Sequence, residues 1–177
     1  AEGEIQQGLN RFDTTLSIDA YLMKSYYKTA SLIANSCKSV GVLSQTSDAM
    51  AESFYQYGRS LGLAFQIVDD ILDFTGSEEV LGKPAGSDLL SGNLTAPVLY
   101  AMEETPYLET LIEREFAQDG DFDEAMALVK SSRGVERSRE LAAQHVERAV
   151  ENLAGLPQSE PKRALEALSS YVLSRLY

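Results

Sequence analysis

The chain is predicted to be all-α, a helical bundle around a central cavity. Three observations predict it: apolar residues recur every three or four positions along most of its 177 residues, strand-like alternation is nearly absent, and one apolar helical stretch encloses several acids. The opening Ala1-Glu2-Gly3-Glu4-Ile5-Gln6-Gln7 reads like the middle of a helix, so the chain is expected to be the later portion of a longer protein. From Ser17 to Leu43 the seam is Leu22, Tyr26, Thr29, Ile33, Cys37 and Val40. Its second half, from Thr29, is apolar or small nearly all round, which predicts a place at the centre of the bundle. Thr46 or Ser47 caps the next helix, whose seam is Met50, Phe54, Tyr57, Leu61, Phe65, Val68 and Leu72, and which ends near Gly76. Residues 76–92 hold four glycines and a proline and read as a loop too long to be a mere connection. Shorter helices follow at Leu94–Glu103, Pro106–Phe116 and Asp121–Lys130, then a long one at Val135–Leu153 and a last at Ser159–Leu176. No repeat or composition shift divides the chain, which predicts one domain.

Composition narrows the function. Fifteen Lys+Arg against 27 Asp+Glu give a formal charge of −12, which opposes binding along a nucleic-acid backbone. A phosphate-bearing ligand must therefore be captured locally, by metal and a few placed lysines. No apolar run has the length of a membrane span. The single Cys37 excludes an internal disulfide and lies in a helical seam, as a packed thiol does.

The segment from Gly62 to Phe74 carries the chemistry. At about 100° per residue, Gln66, Asp69, Asp70 and Asp73 follow i, i+3, i+4, i+7 spacing and share one stripe, with Ile67 and Phe74 beside it. Leu61, Phe65, Val68 and Leu72 form the opposite face. An uncompensated charge in such surroundings costs several kcal/mol, so a counter-charge is required. Oxygen ligands at this spacing suit Mg²⁺, which takes one or two carboxylates and fills its remaining sites with water and substrate phosphate. Spacing alone leaves two alternatives open: a solvated acidic face, or a face that pairs with a neighbouring arginine.

Other polar residues stand in apolar company. Lys28 and Thr29 lie on the approach to the most apolar helical stretch, and Lys83, Asp88 and Asn93 fall in or at the end of the loop after the acids. Lysine ammonium groups suit phosphate oxygens, and a loop can close one over a bound anion. Either lysine taken singly reads equally as a solvated surface group. His145, between Gln144 and the acid Glu147, is expected to be solvated, and no Ser-His or Cys-His pair can be proposed. Asp119-Gly120-Asp121-Phe122-Asp123-Glu124 fails as a calcium loop, with Glu124 at loop position six and Lys130 at twelve; Asp121 and Glu124 are expected to cap a helix instead.

Tyr26-Tyr27-Lys28-Thr29-Ala30-Ser31-Leu32, Phe65-Gln66-Ile67-Val68-Asp69-Asp70-Ile71-Leu72-Asp73-Phe74, and Leu81-Gly82-Lys83-Pro84-Ala85-Gly86-Ser87-Asp88-Leu89 with Gly92-Asn93-Leu94-Thr95-Ala96-Pro97 come in one order and spacing. The series resembles the C-terminal half of the all-trans polyprenyl diphosphate synthases, end to end. The loop wording is most similar to the solanesyl-type enzymes of plastids and cyanobacteria. The resemblance implies an isoprenoid-synthase type fold, present in part, and Mg²⁺-dependent condensation of isopentenyl diphosphate with an allylic diphosphate. It also implies a homodimer, and a cyanobacterial or bacterial cytoplasm or a plastid as the setting. By position, Asp69, Asp70 and Asp73 match the second aspartate-rich motif, which holds the metal. Lys28 and Lys83 match lysines that hold the allylic diphosphate, and the loop at 76–93 is expected to close over it. Thr29 and Gln66 match residues whose oxygens face the developing cation, and Asp88 matches an acid supporting the metal's surroundings. Two departures stand out. Asn93 occupies a position where the family usually has lysine, and the family's first aspartate-rich motif and isopentenyl diphosphate site have no counterpart in this sequence. The isolated chain is therefore expected to bind metal and diphosphate without appreciable turnover. Two other readings stay open: a terpene cyclase of the same fold, whose second motif usually has an Asn/Ser/Glu pattern, and a non-catalytic subunit that binds a partner synthase.

Overall fold

The computed structural model describes residues 11–76, 82 and 84–176, and these contain nine α-helices and one π-helical turn. The first rod runs unbroken from Ile18 to Leu43. It comprises α1 (Ile18–Ser25), the π-helical turn (Tyr26–Ala30) and α2 (Ser31–Leu43). The remaining helices are α3 (Asp48–Thr75), α4 (Ser87–Leu90), α5 (Ala96–Glu104), α6 (Tyr107–Glu113), α7 (Asp121–Ser131), α8 (Gly134–Glu151) and α9 (Glu160–Ser174). Hydroxyls set three of the starts: Ser17 Oγ accepts from the Ala20 amide at 3.2 Å, Ser47 Oγ from Met50 at 3.3 Å and Ser159 Oγ from Lys162 at 3.3 Å.

The 28-residue α3 is the axis of the bundle, with α2 and α8 on its flanks and α5 and α9 completing its surroundings. Ile67, Val68 and Ile71 of this helix are fully buried in a core that includes Leu94, Val98, Leu111, Ile112 and Leu153. Gly62 lets the first rod come close: a methyl group there would sit 2.6 Å from the Cα of Ala30. Lys28 and Thr29, on the turn just before Ala30, are thereby carried to the acid-bearing segment of α3.

Three expectations are corrected. The rod's second half is not central, because α3 covers only one side of α2, and Leu32, Val40, Val42 and Leu43 are 59–83% exposed among the described residues. Asp121 does not form a capping box. Gly120 precedes the helix in a left-handed conformation, while the Asp121 carboxylate accepts from Arg114 Nε at 2.7 Å and from the Gln118 amide at 3.1 Å. Phe65 is not core: its ring is 36% exposed and carries the Arg175 guanidinium 4.6 Å above its centre.

His145 is also misplaced by its charged neighbours. It shares an i, i+3, i+4, i+7 face with Ala142, Val146 and Ala149, and that face is turned into the bundle. Only 3% of the residue is exposed, and neither ring nitrogen has a hydrogen-bond partner among the described residues. Burial, aided by Arg148 and Arg59, pushes the imidazole from 6.5 down to about 4. The unfolded chain therefore binds this proton first, and stability drains away as pH falls from 6.5 towards 4. Relative to His145→Leu, which cannot titrate, the unaltered chain should lose up to about 3 kcal/mol between pH 7 and pH 4 in urea unfolding. A stability difference independent of pH would show that the ring is solvated after all.

Candidate functional site

The site forms where the first rod meets α3. Its π-helical turn, in which the Ser31 amide donates to the Tyr26 carbonyl five residues back, widens the helix at Lys28 and Thr29. Such turns occur frequently at functional sites. Thr29 Oγ1 donates to Gln66 Oε1 at 2.6 Å, Gln66 Nε2 donates to Asp70 Oδ1 at 2.9 Å, and the Tyr21 hydroxyl donates to Asp70 Oδ2 at 2.6 Å. This chain closes one wall of a small cavity lined by Tyr21, Lys24, Ser25, Lys28, Gln66, Asp70, Asn93 and Thr95. Asp70 is 4% exposed, and burial raises its carboxyl to about 7 even though Tyr21, Gln66 and Lys24 favour the charged form. Burial and the neighbouring Asp70 raise the Tyr21 phenol well above its ordinary value, so it stays a donor.

The three acids of the stripe go to three different places. Asp70 is tied to Tyr21 and Gln66. Asp73, 1% exposed, accepts from Ser87 Oγ at 2.9 Å and from the Asp88 amide at 3.1 Å, while its own carbonyl takes the Gly86 amide at 2.7 Å. Gly86 is needed in that turn: its φ is +74°, and a Cβ would lie 2.4 Å from Met126 Sδ. Asp69 reaches outward and pairs with Arg175 Nη2 at 2.8 Å. No group of three or more His, Cys, Asp or Glu side chains among the described residues converges as a metal would require. The three carboxylates therefore form no ready-made three-ligand cluster among the described residues. The physical reason is that a buried carboxylate needs donors, and Asp70 and Asp73 each take theirs from the protein.

Of the other expected residues, Lys28 is exposed and lines the cavity, and Thr29 and Gln66 meet directly. Asp88 is half-buried behind Asp73, and its carbonyl accepts from the Asn93 amide at 2.9 Å. Lys83 lies outside the described residues. Sequence reasoning missed Tyr21, Lys24 and Arg175. The first two precede Lys28 at helical spacing, so their shared face was readable. Arg175 approaches Asp69 from 106 positions away, and no local pattern announces it.

The described residues thus form an all-α bundle in which lysines, amide and hydroxyl groups and a buried acid meet at one small cavity, the kind of concave polar site that binds small ligands. The comparisons make the class specific. The polyprenyl synthetase family matches residues 1–129, and the chain belongs to that family. It is similar to a prenyl transferase of Synechocystis, 59% identical over all 177 residues and 55% of that protein. It is also similar to the chloroplastic solanesyl-diphosphate synthase 2 of Oryza sativa, 49% identical over 99% of this chain and 44% of that one. A crystal structure of a polyprenyl synthase from Caulobacter crescentus, complexed with calcium and isoprenyl diphosphate, superposes with a TM-score of 0.89 at 35% identity, covering 99% of this chain and 55% of that one. The chain thus spans about half the length of the curated relatives it matches.

If Asp73 is an anchor for the Gly86–Asp88 turn, Asp73→Ala should leave the Ser87 hydroxyl and the Asp88 amide without their acceptor. Stability should fall by about 1–3 kcal/mol, and the Asp88 amide should exchange its proton at least several-fold faster. Unchanged exchange at Asp88 would refute the anchoring role.

Proposed function

We propose that this chain forms the allylic diphosphate side of the catalytic centre of an all-trans polyprenyl diphosphate synthase, a prenyltransferase that joins isopentenyl diphosphate to an allylic diphosphate. The observation that carries the reading is the hydrogen-bonded chain Gln66–Asp70–Tyr21, which lines one cavity together with Lys28 and is held from outside that lining by Thr29. In this reaction the allylic C–O bond breaks and its electron pair leaves with the diphosphate. The double bond of isopentenyl diphosphate then attacks the resulting cation, and a proton is lost. Lysine charge on the departing oxygens favours the first event, with Lys28 and the loop residue Lys83 in that role. Thr29 and Gln66 present fixed oxygen dipoles to the cation, and their mutual hydrogen bond at 2.6 Å holds them before charge develops.

A divalent cation fits this donor set in a restricted way. Asp69 offers a carboxylate at the surface of the site, and one such ligand with substrate phosphate and water is enough for Mg²⁺. Mg²⁺ there would neutralise the leaving diphosphate. Asp70 and Asp73 serve by position, Asp70 by orienting Gln66 and Asp73 by fixing the turn that carries Asp88. The Arg175 guanidinium holds Asp69 in the meantime. The relative crystallised with calcium and isoprenyl diphosphate supports this reading. The cyanobacterial and chloroplastic relatives support a cyanobacterial or plastid setting and a polyprenyl product, and we carry over the homodimer that the family resemblance implies. No described helix is long and apolar enough to cross a membrane.

Binding of an unreactive allylic thiodiphosphate tests the site without requiring turnover. With Mg²⁺ present, Asp69→Ala should weaken binding by about tenfold or more, and chelating the metal should have the same effect on the unaltered chain. Equal affinity in all three cases would remove both the metal and Asp69 from the site.

A further inference from the structure

Lys24 is 6% exposed, and among the described residues its ammonium donates only to neutral oxygens, Asn93 Oδ1 at 2.7 Å and Leu94 O at 3.3 Å. No carboxylate among the described residues pairs with it, and the nearby Asp70 instead accepts from Gln66 and Tyr21. An ammonium has three protons, and beyond these two oxygen acceptors the group meets the face of the Tyr21 ring, 5.9 Å from its centre, which leaves it without a third oxygen acceptor among the described residues. It borders the same cavity as Lys28, one helical turn away on the same rod. Burial and the Lys28 charge both work against protonation of Lys24, while Asp70 and Asp88 favour it from a distance. Two ammonium groups converging on one cavity, one of them buried without a carboxylate partner, form an arrangement that an incoming polyanion relieves.

The partner of Lys24 gives the arrangement its meaning. The resemblance implies a lysine at the position that Asn93 occupies, and Asn93 carries no charge. Its side-chain oxygen instead receives the ammonium of Lys24, 69 positions earlier in the chain. We infer that Lys24 supplies, from helix α1, the diphosphate-binding charge that the resemblance implies at position 93, and that Asn93 aims it. The charge has moved from the loop to the helix, and the cavity keeps two cations.

This inference rests on the proposed diphosphate site, and the experiment separates the two. The probe is inorganic pyrophosphate with Mg²⁺, titrated calorimetrically into the chain. Lys24→Gln retains a donor for Asn93 while removing the charge, so the melting temperature should hold while pyrophosphate affinity falls about tenfold or more. The exchanged pair Lys24→Gln/Asn93→Lys should return affinity to within about threefold of the unaltered chain. Lys28→Met is the control on the site itself and should also weaken binding. Affinity unchanged in Lys24→Gln but lowered in Lys28→Met would overturn the role of Lys24 and leave the site standing. Affinity lost in Lys24→Gln and not restored by the exchange would overturn the transposition, leaving Lys24 a scaffold residue. Indifference of both single variants, or no binding by the unaltered chain, would overturn the diphosphate site and this inference together.

Discussion

Everything in the site depends on the hydrogen-bonded line that runs from Thr29 through Gln66 and Asp70 to Tyr21. It begins and ends on the first rod and passes through α3, so it clamps the two helices together at their point of closest approach. The clamp is possible because Gly58 and Gly62 have no side chains: a Cβ at Gly58 would meet the Ile33 carbonyl at 2.8 Å, and one at Gly62 the backbone of Ala30 at 2.6 Å. A wider separation would take the Tyr21 hydroxyl from the Asp70 carboxylate and Thr29 from Gln66, leaving the acid with only the Gln66 of its own helix as a donor. Packing and polar satisfaction therefore demand the same geometry, and the chemistry of the cavity follows from it.

The aspartate-rich stripe divides its labour as a result. The same helical spacing that aligns Asp69, Asp70 and Asp73 also rotates them across enough arc to meet different neighbours. Asp70 meets the rod and Asp73 meets the Gly86–Asp88 turn, while Asp69 meets solvent and Arg175. A motif of three acids thus yields one outward carboxylate supported by two anchors.

The all-helical class and the long acid-bearing helix from Ser47 to Gly76 were legible in the sequence, because apolar period and cap chemistry pointed the same way; the hydrogen bond between Thr29 and Gln66 was not announced by any local pattern. The π-helical turn was not. A single five-residue step leaves the apolar seam around Tyr26–Ala30 nearly unchanged, so period alone does not distinguish it. Arg175 was hidden by its distance along the chain from Asp69. The position of α2 was misjudged because a helix apolar on every side signals that it needs cover, not which of its faces α3 covers. His145 was misread for a different reason: its charged neighbours in sequence were weighed above its place on the Ala142–Ala149 face, although that face was itself readable.

The sharpest test of this account is the anomalous scattering of Mn²⁺ in crystals of the chain grown with manganese and pyrophosphate. The account predicts a manganese peak in contact with an Asp69 oxygen, Arg175 displaced from that carboxylate, and Asp73 still accepting from Ser87 and the Asp88 amide. A manganese ion ligated directly by Asp73, with the Ser87 contact broken, would contradict it.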